Sequence, residues 1–467
     1  MKTSDAYNLI LFIEKNINID VFEYNSFKTW PILRILLYHH LINVHQSRPR
    51  INILINALIK FFQFFDNKKT FKKELICNNT KIKKIFFSRP AYLVKTFNQN
   101  GLFDRVIDPI IMEKKNKGSS LKLYTSKLKK GVTLFNQGYD IQPPLPFLFF
   151  NSIIFSDQEV NEINKISKLS GLNNSKIKKS FKVSLIKFSK WYQYGKNIFQ
   201  KNNSLREIYI VAWYFPDMMG ICAAASEAGI PTIDIQHGKQ GIFQPCYSGW
   251  QKIPKDGYDL VPDFFWCWGK PSCDHILRDS PHRKKHTPFV GGYPWIKYYK
   301  THLCKKKFNK HKNKIRVVVT LQTLGGLHTE RIPDFIVNFL INLKTKMIHF
   351  NFKVHPNDHY HALEYTKNRL KNVNKDLYSI DSNEANLYDT FMNSTHHITA
   401  CSSCCYEAQA FGLSTLLFGQ EAKEIYDYEI RNNIFTWTDG NKKDLDMWLR
   451  NNKKRTISKN KKNYISI

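Results

Sequence analysis

Acidic residues are scarce in this 467-residue chain, which has 38 Asp and Glu against 71 Lys and Arg and a formal charge of +33. Glycine and proline are also few, at 20 and 18 residues, which excludes collagen-like and low-complexity classes. No apolar run reaches the roughly 18 residues of a membrane-spanning helix, so none is predicted. The first residues lack a small-residue cleavage site, and we expect no signal peptide.

The nine cysteines are an odd number and follow no framework spacing. In a chain of this length without an export signal, we expect reduced thiols and a cytosolic protein. Cys401, Cys404 and Cys405 form a cluster of the kind that suggests zinc, but no second ligand pair stands at a matching spacing. We therefore expect no metal and no cofactor.

The positive charge suggests an anionic partner. No helix-turn-helix, zinc-finger or RRM motif is found, so a specific nucleic-acid partner is not expected. Peripheral contact with an anionic membrane is favoured over nucleic acid, and residues 51–65 (INILINALIKFFQFF) are the candidate segment. The same segment is apolar nearly all round, which favours a buried core helix, and both alternatives stay open.

Short apolar strands alternate with helices along most of the chain. Strands are predicted at residues 81–88, 207–211, 232–235, 263–267, 315–320, 349–354, 378–380, 396–399 and 414–418. Helices are predicted at residues 218–228, 333–343, 358–371, 387–392 and 406–411. This pattern is typical of parallel sheets. The predicted fold class is therefore α/β and GT-B-like, with two Rossmann-like, doubly wound parallel-sheet domains facing across a cleft and a helical N-terminal extension.

The predicted domain organisation has five parts. They are a helical extension (1–75), a Rossmann-like acceptor domain (76–302), a basic linker (303–314), a Rossmann-like nucleotide-donor domain (315–450) and a basic tail (451–467). Ligands of open parallel sheets bind beside the carboxyl ends of the strands. Residues that directly follow predicted strands are therefore the first candidates for binding and catalysis.

The first such motif is Gln236-His237-Gly238, which follows the predicted strand 232–235. An imidazole titrates near neutral pH, so a His at a strand end suits the deprotonation of an acceptor hydroxyl. A His that merely caps a turn gives the same pattern. Gln236, Gly238 and Gly269, the last after the predicted strand 263–267, are expected to line the cleft.

Two further motifs follow predicted strands of the second domain. Lys353 and His355 end the strand 349–354 and can donate hydrogen bonds to a phosphate. Ser402 and Ser403 open a helix, where free N–H groups attract phosphate. Glu407, one turn further, can take a ribose hydroxyl or be a surface carboxylate that complements the helix dipole. The alternative for the motif at His355 is a chance His-Pro pair, and the alternative for Ser402 and Ser403 is an ordinary helix cap.

Four other residues are weaker candidates. Thr320 and Gln322 follow the predicted strand 315–320 and are expected to line the cleft. Arg89 and Asp104, with Asp108 nearby, lie close to the first predicted strand and can bind the acceptor. For Arg89, Asp104 and Asp108, ordinary surface charge is the favoured explanation.

Three stretches together resemble a known family. They are IDIQHGKQG (233–241), FKVHP (352–356) and HHITACSSCCYEAQAFG (396–412). They resemble the GT-B transferases of bacterial surface-polysaccharide synthesis, which carry an HG motif, an HP motif and a Ser-Ser motif followed by a helical Glu. The closest patterns are the CDP-glycerol glycerophosphotransferases and the CMP-sugar transferases for Kdo and polysialic acid in capsule and O-antigen synthesis. The resemblance covers residues 205–435.

The resemblance implies that His237 is the catalytic base, that His355 holds the donor phosphate, and that Ser402, Ser403 and Glu407 bind the donor nucleotide. It implies a nucleotide-sugar donor, with a CMP-linked acid sugar such as Kdo first and a UDP- or other NDP-sugar second. The acceptor is expected to be a growing polysaccharide or a lipid-linked saccharide.

The sequence departs from this family at two places. The glycerophosphotransferases usually have Trp before HG and Asp-Tyr before the Ser pair, where this chain has Gln236 and Ala400-Cys401. This favours a sugar transferase over a glycerol- or ribitol-phosphate transferase. An epimerase of the same fold is less expected because its extra carboxylates are not evident, and a non-catalytic basic scaffold is the alternative from another class. The expected location is cytoplasmic, with peripheral contact at the inner membrane.

Overall fold

The structure, a computed structural model, describes most of the chain in twelve stretches. They are residues 2–42, 81–95, 100–113, 118–129, 131–141, 143, 153–278, 284–303, 314–322, 331–355, 359–381 and 387–451. The segment 51–65, most of the predicted linker 303–314 and nearly all of the predicted tail 451–467 lie outside them. The chain divides into two compact units, Met1–Trp295 and Ile296–Ile467.

The first unit is built on a parallel sheet of seven described strands. They are β1 (Lys84–Ser88), β2 (Ser120–Tyr124), β3 (Tyr139–Asp140), β4 (Glu207–Ile210), β5 (Thr232–Ile235), β6 (Phe264–Cys267) and β7 (Thr287–Val290). Their order, β7-β6-β5-β4-β1-β2-β3, is that of a doubly wound sheet with the reversal between β1 and β4. Ile85, Phe86 and Phe87 are fully buried, as expected for a central parallel strand.

The second unit repeats this topology with six described strands, all paired in parallel. They are β8 (Ile315–Thr320), β9 (Ile348–Lys353), β10 (Tyr378–Asp381), β11 (His396–Thr399), β12 (Ser414–Phe418) and β13 (Thr436–Thr438). The order β10-β9-β8-β11-β12-β13 places the reversal between β8 and β11. The prediction of two Rossmann-like, doubly wound parallel sheets is confirmed.

Helices connect the strands in both units. Among the described residues of the first unit they are α1 (Thr3–Asn16), α2 (Trp30–Ile42), α3 (Asp108–Ile111), α4 (Asp157–Ser170), α5 (Asn174–Phe199), α6 (Pro216–Glu227), α7 (Lys270–Leu277) and, at its end, α8 (Pro294–Tyr298). In the second unit they are α9 (Asp334–Ile341), α10 (His359–Arg369), α11 (Leu387–Met392), α12 (Cys404–Ala410), α13 (Gln420–Ile425), α14 (Asp427–Arg431) and α15 (Lys442–Asn451). Two antiparallel hairpins, Glu23–Tyr24 with Phe27–Lys28 and Leu93–Lys95 with Leu102–Asp104, complete the first unit.

Local sequence explains where these helices begin and how they pack. Ser156 and Glu159 form a capping box at the start of α4, and Gly171 ends it with a left-handed φ of 69°. The small residues of α6 allow α5 to approach closely. A Cβ at Gly195 of α5 would stand 2.7 Å from the Ala224 Cβ, and one at Gly220 would stand 2.7 Å from the Tyr192 nitrogen.

The two N-terminal helices are part of the first unit's core. Ile10 of α1 and Trp30 and Leu33 of α2 are fully buried and share one apolar cluster with Ile85 of β1. In the part of the chain that the structure describes, we find no helix with the length and apolar character to cross a lipid bilayer.

Candidate functional site

His237 lies two residues beyond β5, at the carboxyl edge of the first sheet. Its Nδ1 is 3.4 Å from the carbonyl oxygen of Ile235, and its Nε2 is 3.2 Å from the Tyr214 hydroxyl. A neutral ring that donates from Nδ1 to the carbonyl leaves Nε2 to accept the Tyr214 O–H. The imidazole is therefore oriented with its accepting nitrogen toward a hydroxyl group.

The surroundings of His237 favour its neutral form. Burial lowers the pKa of the imidazole to about 4, and the positive charges of Arg105 and Arg89 lower it as well. The hydrogen bond to the Ile235 carbonyl acts in the opposite direction and raises this pKa. The Tyr92 ring packs edge-on against it, with ring centroids 5.4 Å apart. Above this pKa, the imidazole is an unprotonated base.

Gln236 fixes the turn that carries His237. Its Nε2 donates to the Gly238 carbonyl at 2.8 Å, and its Oε1 accepts the Trp268 N–H at 2.6 Å. The Trp268 indole also donates to the Gln236 carbonyl at 2.9 Å. The Gln236 side chain is buried and its amide is used at both ends, so it ties the end of β5 to the end of β6. Its place in the lining of a cleft stays a prediction. Gly269 caps α7 at this same edge.

Asp234 is a buried carboxylate that was not predicted as a site residue. It accepts the Tyr247 O–H at 2.9 Å and the Trp213 N–H at 3.2 Å. Burial raises the pKa of Asp234 to about 8, although these hydrogen bonds oppose the shift. The preceding Ala212 has a left-handed φ of 62°, so Asp234 holds an unusual turn after β4. An Asp within the otherwise apolar strand TIDI was the available signal.

Arg89 follows β1 at the point where the strand order reverses. Its Nη2 lies 2.9 Å from both carboxylate oxygens of Asp217, and its guanidinium stacks over the Phe215 ring at 4.0 Å. Lys187 adds a 3.3 Å contact to the same carboxylate. With its side chain 19% exposed, Arg89 is mainly engaged in this ion pair. Acceptor binding by Arg89 stays a prediction.

Asp104 and Asp108 are fully buried, so the explanation of both as surface charges is wrong. The Lys122 Nζ lies 2.6 Å from Asp108 Oδ1, and the Ser88 hydroxyl donates to Asp104 at 2.6 Å. Burial raises the pKa of Asp108 to about 6, and the charge of Lys122 opposes this shift. Asp104 also accepts the Val106 N–H at 3.0 Å, so its oxygens already have partners within the protein. Acceptor binding by Asp104 stays a prediction.

At the second sheet, Thr320 and Thr399 are register partners at the carboxyl ends of β8 and β11. The Thr399 hydroxyl donates to the Thr320 carbonyl at 3.1 Å, and the Thr320 hydroxyl lies 2.9 Å from His397 Nε2. Thr320 is thus buried against the sheet, while Gln322 lies partly exposed two residues further. This edge is the reversal point, where doubly wound sheets bind their ligands.

Acid is expected to destabilise the second unit through His397. Burial lowers the pKa of its imidazole to about 3, against an unfolded value near 6.5. The unfolded chain therefore takes up the proton first, and stability is lost as pH falls below about 6.5, by about 2 kcal/mol between pH 7 and pH 5. Urea unfolding at both pH values should show this loss in the wild type and a smaller one in His397→Asn. Equal losses of stability in the wild type and in His397→Asn would show that His397 is not the source of the acid sensitivity.

Ser402 and Ser403 connect β11 to α12 and are partly exposed. The Ser402 hydroxyl accepts the Cys404 N–H at 3.3 Å. Ser403 stands at the cap position of α12, a helix of 7 residues, and its side chain makes no cap hydrogen bond. Two serine hydroxyls therefore stand directly after the strand that flanks the reversal point.

Glu407 is only 5% exposed, so the alternative of a surface carboxylate is wrong. Its Oε1 accepts the Tyr388 hydroxyl at 2.6 Å. The Tyr388 ring packs against Tyr299 and Phe411, with centroids 4.9 Å apart in each case. Binding of a ribose hydroxyl by Glu407 stays a prediction.

Lys353 ends β9 and lies in register between Thr320 and Asp381. Burial lowers the pKa of its ammonium group, and the negative charge of Asp381 opposes this shift. His355 is partly exposed two residues further along the same edge, and Pro356 lies outside the described residues.

The predicted residues thus fall into one group in each unit. The first group consists of Gln236, His237, Gly238, Gly269 and Arg89. The second consists of Thr320, Gln322, Lys353, His355, Ser402 and Ser403. Over the described stretches, no three His, Cys, Asp or Glu side chains are grouped so that they could hold a metal ion.

Comparisons with known proteins complete this description. No protein-family model and no curated protein matches the sequence. Among solved structures, UDP-GlcNAc 2-epimerase from Neisseria meningitidis bound to UDP-GlcNAc is 13% identical, with 80% of this chain and 93% of that chain covered and a TM-score of 0.45. UDP-GlcNAc 2-epimerase from Methanocaldococcus jannaschii is 12% identical, covering 82% and 94%, with a TM-score of 0.46. The S. aureus MnaA–UDP structure is 13% identical, covering 79% and 87%, with a TM-score of 0.45.

Proposed function

We propose that this chain is an enzyme acting on a nucleotide-activated sugar, and more narrowly a glycosyltransferase in which His237 deprotonates the acceptor hydroxyl. The observation that carries the proposal is the His237 imidazole. Its Nδ1 faces the Ile235 carbonyl, its Nε2 faces the hydroxyl of Tyr214, and its lowered pKa keeps it neutral. A base for sugar transfer needs a fixed tautomer and an accepting nitrogen within hydrogen-bond distance of a hydroxyl, and His237 Nε2 has both toward Tyr214.

In the proposed reaction, an acceptor hydroxyl replaces Tyr214 at His237 Nε2. Its proton moves to Nε2 while its oxygen forms a bond to the donor sugar carbon, and the bond from that carbon to the nucleotide phosphate oxygen breaks. A pKa of about 4 makes the free imidazole a weak base.

The donor is proposed to bind at the carboxyl edge of the second sheet. Ser402 and Ser403 supply hydroxyls there, and Lys353 and His355 supply donors that can offset phosphate charge. Support comes from the reversal of strand order between β8 and β11. A CMP-linked acid sugar and a UDP-sugar are the two donor candidates. A saccharide acceptor, a cytoplasmic location and membrane contact remain predictions from the sequence.

A second candidate function is epimerisation, the inversion of configuration at one carbon of the nucleotide sugar. The observation that favours it is the pair Asp104 and Asp108 near the carboxyl edge of the first sheet, because the pKa of Asp108 is raised to about 6. Carboxyl groups that titrate near neutral pH suit proton removal from carbon and its return. Both carboxyl groups are buried and already bonded, which makes this the second choice.

A nucleotide panel tests the donor site. We expect one of CMP, CDP, UDP and UDP-GlcNAc to raise the melting temperature, since a ligand at 100 times its Kd stabilises the folded state by about 2.7 kcal/mol. The Ser402→Ala/Ser403→Ala variant should lose that shift, measured by differential scanning fluorimetry. Ser394→Ala, at the amino end of β11, is the matched control and should keep it. A shift retained by the double variant would refute the donor site.

Deuterium uptake separates the two reactions. With the stabilising nucleotide sugar in D2O and no acceptor, an enzyme that removes and returns a carbon-bound proton places deuterium on the sugar. A transferase leaves every carbon-bound proton in place. We expect no deuterium by proton NMR, and its appearance at the inverted carbon would establish the second candidate.

A further inference from the structure

The segment that follows His237, residues 241–250, is held by the two N-terminal helices. Arg34 of α2 is fully buried and donates hydrogen bonds to three of its carbonyl oxygens. These belong to Pro245, to Ser248 at 3.3 Å and to Gly249 at 2.8 Å. One guanidinium therefore joins three carbonyl groups of this segment, of which that of Gly249 also accepts the Gln251 side-chain amide at 3.3 Å.

Other side chains of the same helices add to this attachment. The Tyr7 and Ser248 hydroxyls are 3.2 Å apart, and the Tyr38 hydroxyl donates to the Phe243 carbonyl at 3.1 Å. Arg34 itself is oriented by Glu14, whose Oε2 lies 3.3 Å from its Nε. The helices thus fix both the beginning and the end of the 241–250 segment.

The segment in turn contacts the surroundings of His237. The Tyr247 hydroxyl donates to Asp234, which accepts the Trp213 N–H of the turn after β4. The next residue in that turn is Tyr214, whose ring meets Tyr247 edge-on at 6.3 Å and whose hydroxyl contacts His237. Hydrogen bonds, joined by short stretches of backbone, therefore lead from Arg34 through Tyr247, Asp234 and the turn after β4 to the imidazole.

We infer that Arg34 is a positioning residue for His237, and that α1 and α2 set the place of the imidazole through the 241–250 segment. The inference rests on the proposed function insofar as His237 is the base. A base must stand within hydrogen-bond reach of the proton that it removes, and a shift of about 1 Å can cost up to about 100-fold in rate. Buried Arg34 and Glu14 hold one geometry because any other leaves a charge without its partner.

Two glycines give a matched test. Gly249 has a φ of +72°, and a Cβ there would overlap the Tyr7 hydroxyl and stand 2.7 Å from Leu11 Cδ2. Gly229 has a φ of +66°, and a Cβ there meets nothing within 4 Å. Gly249→Ala and Gly229→Ala therefore share the backbone strain, but only the first pushes α1 away from the 241–250 segment.

We expect Gly249→Ala to lower kcat about tenfold with the donor KM within twofold of wild type, and Gly229→Ala to leave both within twofold. The ring 15N signals of His237, identified by their loss in His237→Gln, should move in the first variant only. If Gly249→Ala fails to fold, Tyr7→Phe/Tyr38→Phe replaces it, because this pair removes two of the contacts without adding bulk.

Equal kcat values and unmoved His237 signals in the two glycine variants would overturn the inference. Absence of turnover in the wild type with every nucleotide sugar would instead refute the proposed function. In that event the 15N signals decide the inference alone, since they report the position of the imidazole without any substrate.

Discussion

His237→Gln is expected to lower kcat by about 100- to 10,000-fold, the usual contribution of a general base. Gln keeps a polar group of similar reach near Tyr214, but its amide takes up no proton at neutral pH. His237 is neutral because burial lowers its pKa to about 4, so it carries no charge that holds the donor phosphate. Nucleotide affinity should therefore stay within twofold of wild type, so the loss appears in kcat and not in donor KM.

His349→Gln is the control for this experiment. His349 belongs to β9 but stands near its amino end, away from the carboxyl edge where the candidate residues lie. Its replacement should leave kcat within twofold of wild type. If His237→Gln retains half or more of the wild-type kcat, His237 is not the base and the proposed mechanism is wrong.

Lys122→Met should produce the largest loss of stability, about 3–5 kcal/mol, because it leaves the buried Asp108 without its cation. Both side chains of this ion pair are fully buried, with Nζ and Oδ1 2.6 Å apart. The double variant Lys122→Met/Asp108→Asn removes the unpaired charge and should recover part of the loss. Urea unfolding of the wild type and the variants measures these differences.

The pH dependence of this loss has a definite sign. The folded pKa of Asp108, about 6, is raised above its unfolded value of 3.8, so its ionisation reduces stability as pH rises from about 4 to 6. Without Lys122 that pKa rises further, and the deficit of Lys122→Met should be smaller at pH 5 than at pH 8. The control Lys346→Met breaks an exposed pair with Asp376 and should change stability little. If Lys122→Met loses the same stability at pH 5 and at pH 8, the loss does not come from the unpaired charge of Asp108.

The fold could be predicted largely because parallel strands leave a strong signal. The stretches IRVVVT and STLLF are mainly apolar and mostly buried, as expected for strands covered on both faces. The predicted strands 315–320 and 414–418 match β8 and β12 residue for residue. The ends of other elements differ by a few residues. For example, α12 begins at Cys404, whereas its predicted start was residue 406.

The partners of individual polar side chains could not be predicted, because they come from elements distant in sequence. Surface charge was the favoured explanation for Asp104 and an alternative for Glu407, yet each is buried with a hydroxyl partner, Ser88 and Tyr388 respectively. Gln236 was expected beside a ligand but is engaged by Trp268, 32 residues away. The alternation of apolar and polar residues indicates which face of a strand or helix a residue occupies. It does not indicate which other side chain contacts that residue.

The contacts of Arg34 also bear on how the chain folds during synthesis. Arg34 and Pro245 are 211 residues apart, and Tyr7 and Ser248 are 241 residues apart. At about 5–20 residues per second, a ribosome needs about 10–50 s to make the intervening chain. During that time, Tyr7 of α1 and Arg34 of α2 have no segment 241–250 to bind. Because contacts between residues so distant in sequence form slowly, this attachment is among the later native contacts that the two helices make.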